Sequence, residues 1–127
     1  MRYGVIADVH GNLDALRAVL RAIDREGVDR HLVAGDLVGY GPYPNECVAA
    51  VAELSAICVA GNHDLIALGA LSDERCIELA RRSLTWTRRV LGADERAFLA
   101  ALPRVDTAPG GVRMAHGSLD EIGRAHV

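Results

Sequence analysis

Residues Tyr3 to Asn12 read Tyr-Gly-Val-Ile-Ala-Asp-Val-His-Gly-Asn, a short apolar run that ends in a polar cluster. The apolar run from Tyr3 to Ala7 favours a β-strand. After Asn12, apolar residues recur with the period of a helix, at Leu13, Leu16, Val19, Leu20 and Ile23. Asn12 is suited to cap the start of this helix, and Gly27 to end it in a left-handed conformation. The stretch therefore predicts a strand and a helix with Asp8 and His10 at their junction.

The same succession of strand, polar turn and helix recurs along the chain. Further strands are predicted at residues 31–34, 56–60 and 112–115, and further helices at residues 48–54, 73–91 and 94–102. Strands that alternate with helices indicate βαβ units and a parallel sheet. We therefore predict an α/β protein.

Polar residues follow the predicted strands at one repeated place. Six of them lie just beyond the carboxyl end of a strand: Asp8, His10, Asp36, Asn62, His63 and His116. In open α/β sheets, ligands bind at that edge. Six such residues after four separate strands predict a single site.

The donor atoms of this set are carboxylate and amide oxygens and imidazole nitrogens. They suit Mn, Fe, Zn, Co or Ni better than Ca²⁺ or Cu⁺. Asp8 and His10 are two residues apart, which places both side chains on one side of an extended chain. Asp36 has two oxygens and could bridge two ions. Two metals about 3.5–4 Å apart can hold an attacking oxygen and a phosphoryl oxygen together.

Composition limits the function further. The chain has 127 residues, half of them hydrophobic, and a net charge of −3 without a basic stripe, so nothing indicates a nucleic-acid partner. We expect no membrane partner, since the apolar runs are too short to span a bilayer. Three cysteines without a C-x-x-C pair, and a start that does not resemble a signal peptide, favour a cytoplasmic protein with buried, reduced thiols at Cys47, Cys58 and Cys76. Composition does not indicate an oligomeric state.

Four blocks of the sequence resemble the signature motifs of the calcineurin-like metallophosphoesterases. They are Asp8-x-His10, Gly35-Asp36, Gly61-Asn62-His63-Asp64 and His116-Gly117, in the order and spacing of that superfamily. The run from Gly35 to Pro42 further resembles a bacterial and archaeal branch described as predicted phosphodiesterases. The resemblance implies that the chain forms the N-terminal part of a four-layer α-β-β-α sandwich. It also implies hydrolysis of a phosphomonoester or phosphodiester of a small phosphorylated substrate by a metal-bridging hydroxide.

The resemblance also implies a role for each matching residue. Asp8 and His10 would bind the first metal, Asp36 would bridge both, and Asn62 and His116 would bind the second. His63 would act as a general acid or stabilise the transition state, oriented by Asp64. The cofactors would be two divalent transition-metal ions, with Mn favoured and Fe, Zn, Ni or Co as alternatives.

The sequence departs from the family pattern near its C-terminus. The family has a further Gly-His-x-His block that gives one His to each metal, and neither His126 nor His31 fits it. We therefore expect the 127-residue chain to be a C-terminally truncated, inactive piece of the enzyme. We also expect residues 1–121 to form part of the phosphoesterase domain and residues 122–127 to be a non-native tail, because codons for Ile122 to Val127 can resemble a sequencing-library adapter.

Other interpretations stay open beside the enzyme. A non-catalytic, metal-binding scaffold of the same fold is the main alternative. A dinucleotide-binding Rossmann domain is disfavoured, since G-x-G-x-x-G is absent after the first strand. Tyr40 and Tyr43 are equally compatible with packing their loop and with touching a substrate, and Trp86 is expected in the core.

Overall fold

The computed structural model describes residues 1–117 of the chain. In this range the chain alternates between short strands and helices. In chain order these are β1 (Tyr3–Ile6), α1 (Leu13–Glu26), β2 (Arg30–Val33), α2 (Pro44–Ala52), β3 (Ile57–Cys58), α3 (Asn62–Ala67), α4 (Glu78–Val90), α5 (Ala93–Ala100), β4 (Val105–Ala108) and β5 (Val112–Ala115). The predicted boundary at residue 121 and the predicted tail over residues 122–127 lie outside the described part.

The first three strands form a parallel sheet in the order β1-β2-β3. Because the order advances in one direction and βαβ crossovers share one hand, the helices between the strands pack on the same face. Along each strand, successive side chains point to opposite faces of the sheet. Ile6, Val33 and Cys58 belong to the large core beneath the helices. Because the three strands are parallel, their carboxyl ends lie at the same edge of the sheet.

The opposite face of the sheet carries a second, smaller core. It consists of Leu32 and Val59 from the parallel sheet packed with Ala108 and Met114 from an antiparallel β4–β5 hairpin. The described chain thus has a helical layer, a parallel sheet and a hairpin of a second sheet. This arrangement confirms the α/β class. Among residues 1–117, none of the helices combines the length and apolar character needed to cross a bilayer.

The caps of α1 agree with the sequence. The Asn12 side chain accepts a hydrogen bond from the Ala15 N–H at 3.1 Å. Gly27 ends the helix with φ 71°, in the left-handed region. The predicted thiol state is also confirmed, since Cys47, Cys58 and Cys76 are buried and free. Burial raises the pKa of Cys47 to about 11 and of Cys58 to about 12.

Four details of the prediction were wrong. Helix α3 and strand β4 were not expected, and α4 begins at Glu78 rather than at residue 73, because Ile77 is extended with ψ 159°. Trp86 is 37% exposed rather than in the core. Helix α4 buries the stripe formed by Ala80, Leu84 and Thr87, and Trp86 lies off that stripe.

The glycine after β2 determines how closely β2 and β3 approach at the site edge. Gly35 has φ 94°, and a Cβ there would lie 2.6 Å from the Gly61 nitrogen and 2.8 Å from its Cα. Gly35→Ala should lower the free energy of unfolding by about 2–5 kcal/mol, from left-handed strain and backbone overlap together. Urea unfolding measures this.

Gly27→Ala is the matched control. Its φ is 71°, but a Cβ there would meet nothing within 4 Å, so only the conformational cost of about 1–2 kcal/mol remains. Equal losses in the two variants would show that the contact with Gly61 is not restrictive.

Candidate metal centre

The side chain of Asp36 lies at the middle of the predicted site. It is 4% exposed, and its Oδ2 lies 3.6 Å from His10 Nε2 and 3.2 Å from His116 Nε2. The same oxygen lies 4.0 Å from His63 Nδ1. Asp8 joins through its Oδ1, 3.8 Å from His10 Nε2. Residues from three strand ends and from the hairpin are thus brought together.

These side chains form two groups of three donors that share Asp36. One group is His10, Asp36 and His63, and the other is Asp8, Asp36 and His116. Within each group the donor atoms lie within 4.8 Å of one another. Among the described residues, the buried His63 Nδ1 has no hydrogen-bond partner. Carboxylate oxygens and imidazole nitrogens at this spacing fit divalent transition metals.

Two of the histidines are oriented by backbone carbonyls. His10 Nδ1 lies 3.1 Å from the Val38 oxygen, and His116 Nδ1 lies 2.8 Å from the Ala34 oxygen. An Nδ1–H that donates to a carbonyl leaves Nε2 as the free donor atom, which is the usual arrangement of a metal-binding histidine. In both residues Nε2 is the atom nearest Asp36. His63 lacks this arrangement, which separates it from the other two.

The charges of the site depend on Asp36. Its burial would raise the pKa of the carboxyl group, but the hydrogen bond and charge of His116 lower it overall. The hydrogen bond to Asp36 raises the pKa of His116 to about 9. Burial lowers the pKa of His63, so its ring favours the neutral form. The contact with Asp36 thus favours the protonated, positively charged form of the His116 ring when no metal ion is bound.

The backbone at the site differs from the expectation of an extended Asp8-x-His10 segment. Asp8, His10 and Asp36 have φ values of 55°, 49° and 57°, in the left-handed region that non-glycine residues rarely adopt. The two side chains converge because the loops are paired, not because the chain is extended. The Asp8 N–H donates to the Gly35 oxygen at 3.1 Å, and the His10 N–H donates to the Asp36 oxygen at 2.9 Å.

The described hydrogen bonds of Asp64, which was expected to orient His63, are with backbone N–H groups. Its Oδ2 accepts the N–H groups of Asp36 and Gly61, each at 2.9 Å. Its Oδ1 accepts those of Leu37 at 2.9 Å and Val38 at 3.2 Å. Both oxygens are therefore occupied, and successive residues of a helix point about 100° apart. Asp64 positions the site through the backbone.

Asp64 is completely buried, and burial raises the pKa of its carboxyl group to about 6. The N–H bonds from Gly61, Val38 and Leu37 act in the opposite direction and favour the carboxylate. This hydrogen-bonded backbone also fixes the position of His63, because the His63 N–H donates to Asp36 Oδ1 at 3.0 Å.

Asn62 is buried at the first residue of α3, at the same edge of the sheet. Its predicted role is to bind the same ion as His116. This assignment stays a prediction.

Tyr40 lies at the site, although the sequence did not decide whether it packs its loop or touches a substrate. Its ring centroid lies 5.2 Å from that of His10, edge to face, and 5.4 Å from that of His63. The signal available in the sequence was its place between Gly39 and Gly41, four residues after Asp36.

Comparison with known proteins gives a consistent family. A sequence profile described as calcineurin-like phosphoesterase matches residues 1–125. An uncharacterized protein from Methanocaldococcus jannaschii is 40% identical over 101 residues, which are 80% of this chain and 42% of that protein. A symmetrical bis(5'-nucleosyl)-tetraphosphatase from Stutzerimonas stutzeri is 38% identical over 97 residues, 74% of this chain and 34% of that protein.

Among solved structures, a metallophosphoesterase from Sphaerobacter thermophilus is similar with a TM-score of 0.70 and 43% identity. The match covers 85% of this chain and 44% of that one. The predicted fold, that of the metallophosphoesterases, is therefore confirmed. The chain spans between 34% and 42% of the length of the curated relatives it matches.

The four backbone hydrogen bonds to Asp64 should contribute measurably to the stability of the fold. In Asp64→Asn, one carboxylate oxygen becomes an NH₂ group, which faces two buried backbone N–H groups and cannot accept from them. We expect a loss of about 2–6 kcal/mol in the free energy of unfolding, measured with urea. Asp24→Asn, on the exposed side of α1, should leave stability nearly unchanged. A small loss of unfolding free energy in Asp64→Asn would show that these four hydrogen bonds do not hold the site together.

Proposed function

This chain belongs to the calcineurin-like phosphoesterase family, and from that premise we propose that its protein hydrolyses phosphoesters with two divalent metal ions. The observation that carries the proposal is the position of the buried Asp36 carboxylate, whose Oδ2 lies 3.6 Å from His10 Nε2 and 3.2 Å from His116 Nε2. A carboxylate placed between two histidine donors can serve two ions. Bound there, two ions would supply Lewis acidity and a hydroxide nucleophile near neutral pH.

The residues divide into binding and positioning groups. Asp8 and His10 are assigned to the first ion, Asp36 to both, and Asn62 and His116 to the second. The Nε2 donors of His10 and His116, each fixed by a carbonyl, support this assignment. Manganese is the first metal to test, and Fe, Zn, Ni and Co are the alternatives. The described residues thus give three donors to each ion, and a Gly-His-x-His block would complete both sets.

His63 is proposed to assist the leaving group rather than to bind metal. Its ring is buried beside Asp36 and Tyr40, and its Nδ1 has no hydrogen-bond partner among residues 1–117. A ring so placed can assist a departing oxygen, either as a general acid or by a hydrogen bond that stabilises the transition state. Asp64 is not a direct partner of that ring and acts as a positioning residue.

The substrate is proposed to be small and phosphorylated. Relatives named symmetrical bis(5'-nucleosyl)-tetraphosphatase make nucleotides with several phosphates the first natural compounds to test. Simple monoesters and diesters are the reference substrates, and the cytoplasm is the proposed location. We infer that residues 1–127 alone are inactive, so these experiments use the full-length gene product.

Metal content distinguishes the bridging carboxylate from a terminal one. Asp36→Asn should lower the metal content at both positions, because one side chain serves both ions, and hydrolysis of bis(4-nitrophenyl) phosphate should disappear. Asp8→Asn should weaken only one position. Elemental analysis after dialysis measures both. Two tightly bound ions in Asp36→Asn would contradict the bridging role.

His63→Ala should keep both metals and lower kcat by about 10²–10⁴, the range for loss of a general acid. The defect should be smaller for nitrophenyl esters than for alkyl esters, because nitrophenolate leaves without protonation. Steady-state kinetics on both ester types, with metal analysis, test this.

Two outcomes would change the assignment. Loss of metal in His63→Ala would make His63 a ligand, as its 4.0 Å distance to Asp36 Oδ2 allows. Two bound metals without turnover of any phosphoester would favour the scaffold over the enzyme.

A further inference from the structure

A groove of about 630 Å³ opens beside the metal-binding cluster, between the loop that follows β1 and the loop that follows β2. Its walls come from two runs of the chain, residues 8–14 and residues 40–43. This volume lies within the range of small-molecule sites. The groove shares Asp8 and His10 with the cluster, so its inner end is the metal centre itself.

Two exposed tyrosines line this groove. Tyr40 is 43% exposed and Tyr43 is 44% exposed, although large aromatic side chains usually bury more of their surface. Tyr40 lies at the inner end, where its ring meets those of His10 and His63. Tyr43 is the N-cap residue that precedes α2, and its side chain makes no capping hydrogen bond there.

The groove is held open by backbone hydrogen bonds rather than by its side chains. The Gly41 N–H donates to the His10 oxygen at 2.8 Å, and the Tyr43 N–H donates to the Gly11 oxygen at 3.1 Å. The Tyr40 N–H donates to Ser83 Oγ at 2.8 Å, which fixes a backbone with φ 69°. The two rings are therefore presented on a rigid frame, and rigid frames reduce the entropy lost on binding.

The charges of the groove decide which part of a substrate it suits. Its ionisable lining residues are Asp8, His10 and Asp14, with no arginine or lysine among them. Asp14 is not part of the metal centre, and its carboxylate would repel a phosphate group in the outer part of the groove. A flat, uncharged ring can stack on tyrosine, and its amino groups can donate to a carboxylate such as that of Asp14.

We propose that the Tyr40–Tyr43 groove binds the base of a nucleoside phosphoester while the phosphate lies at the metal centre. This inference rests on the proposed function and names the substrate class of that site. Tyr40 touches the histidines of the centre, so its loss would also disturb turnover. Substitution of Tyr43 therefore tests the groove separately from the metal centre.

The experiment compares two substrates with the same scissile bond. Adenosine 5'-phosphate and ribose 5-phosphate have the same sugar phosphoester and differ in the base. The full-length, Mn²⁺-loaded protein should show a kcat/KM at least about 5-fold higher for adenosine 5'-phosphate. Tyr43→Ala should bring this ratio close to one, and Tyr43→Phe should retain it.

Binding of adenosine provides a readout that needs neither metal nor turnover. Equilibrium dialysis with radiolabelled adenosine should show binding to the metal-free protein, weakened at least about 5-fold in Tyr43→Ala. Trp86→Leu removes another exposed aromatic residue, on α4, and should match the wild type in both assays.

The outcomes separate the two proposals. The groove proposal would be overturned if wild type and Tyr43→Ala hydrolysed the two compounds with the same ratio of kcat/KM values and adenosine did not bind. The proposed phosphoesterase activity would stand in that case. Adenosine binding that depends on Tyr43, without hydrolysis of any phosphoester, would support the groove and overturn the phosphoesterase.

Discussion

The buried carboxylate of Asp64 holds the whole edge of the sheet in one arrangement. It accepts four backbone N–H groups, from the segment after β2 and from the turn before α3. A buried N–H without a partner is costly, so each of these bonds restricts where the chain can run. Asp36 and His63 belong to the segments that are fixed in this way. The arrangement of the donor atoms is thus a consequence of backbone hydrogen bonding to a residue outside the proposed ligand set.

Three of the proposed metal-binding residues occupy an unfavourable backbone conformation that these loops maintain. Asp8, His10 and Asp36 all have positive φ, and each such residue costs free energy relative to an ordinary turn. The paired loops, the close contact of Gly35 with Gly61 and the bonds to Asp64 compensate for that cost. The result is a set of acidic and imidazole groups held close together before any ion arrives, with the carbonyls of Val38 and Ala34 orienting two of the rings.

Much of this arrangement could be predicted from the sequence, because apolar periodicity locates the strands and helices, and the polar residues after the strands converge on one edge. The strands of the sheet, the caps of α1 and the meeting of Asp8, His10, Asp36, His63 and His116 all follow from local patterns. The missed elements lacked such patterns. Strand β4 is mostly exposed and has no alternation, and α3 begins with the polar residues Asn62 and His63. The left-handed φ values and the partners of Asp64 depend on tertiary contacts, which no local pattern contains. The exposure of Trp86 could have been predicted from the helical period, since it lies off the stripe of Ala80, Leu84 and Thr87.

The sequence separation of the contacts implies an order of assembly. The bonds that Asp64 makes to residues 36–38 span 26 to 28 residues, whereas the contact of His116 with Ala34 spans 82. By loop-closure entropy, the longer span costs only about 1 kcal/mol more than the shorter one. The sheet edge can therefore form from the first half of the chain, with four of the five clustered side chains in place. We expect the hairpin to dock after this edge has formed, because its contact closes the longest loop, and bringing in His116 then costs little additional entropy.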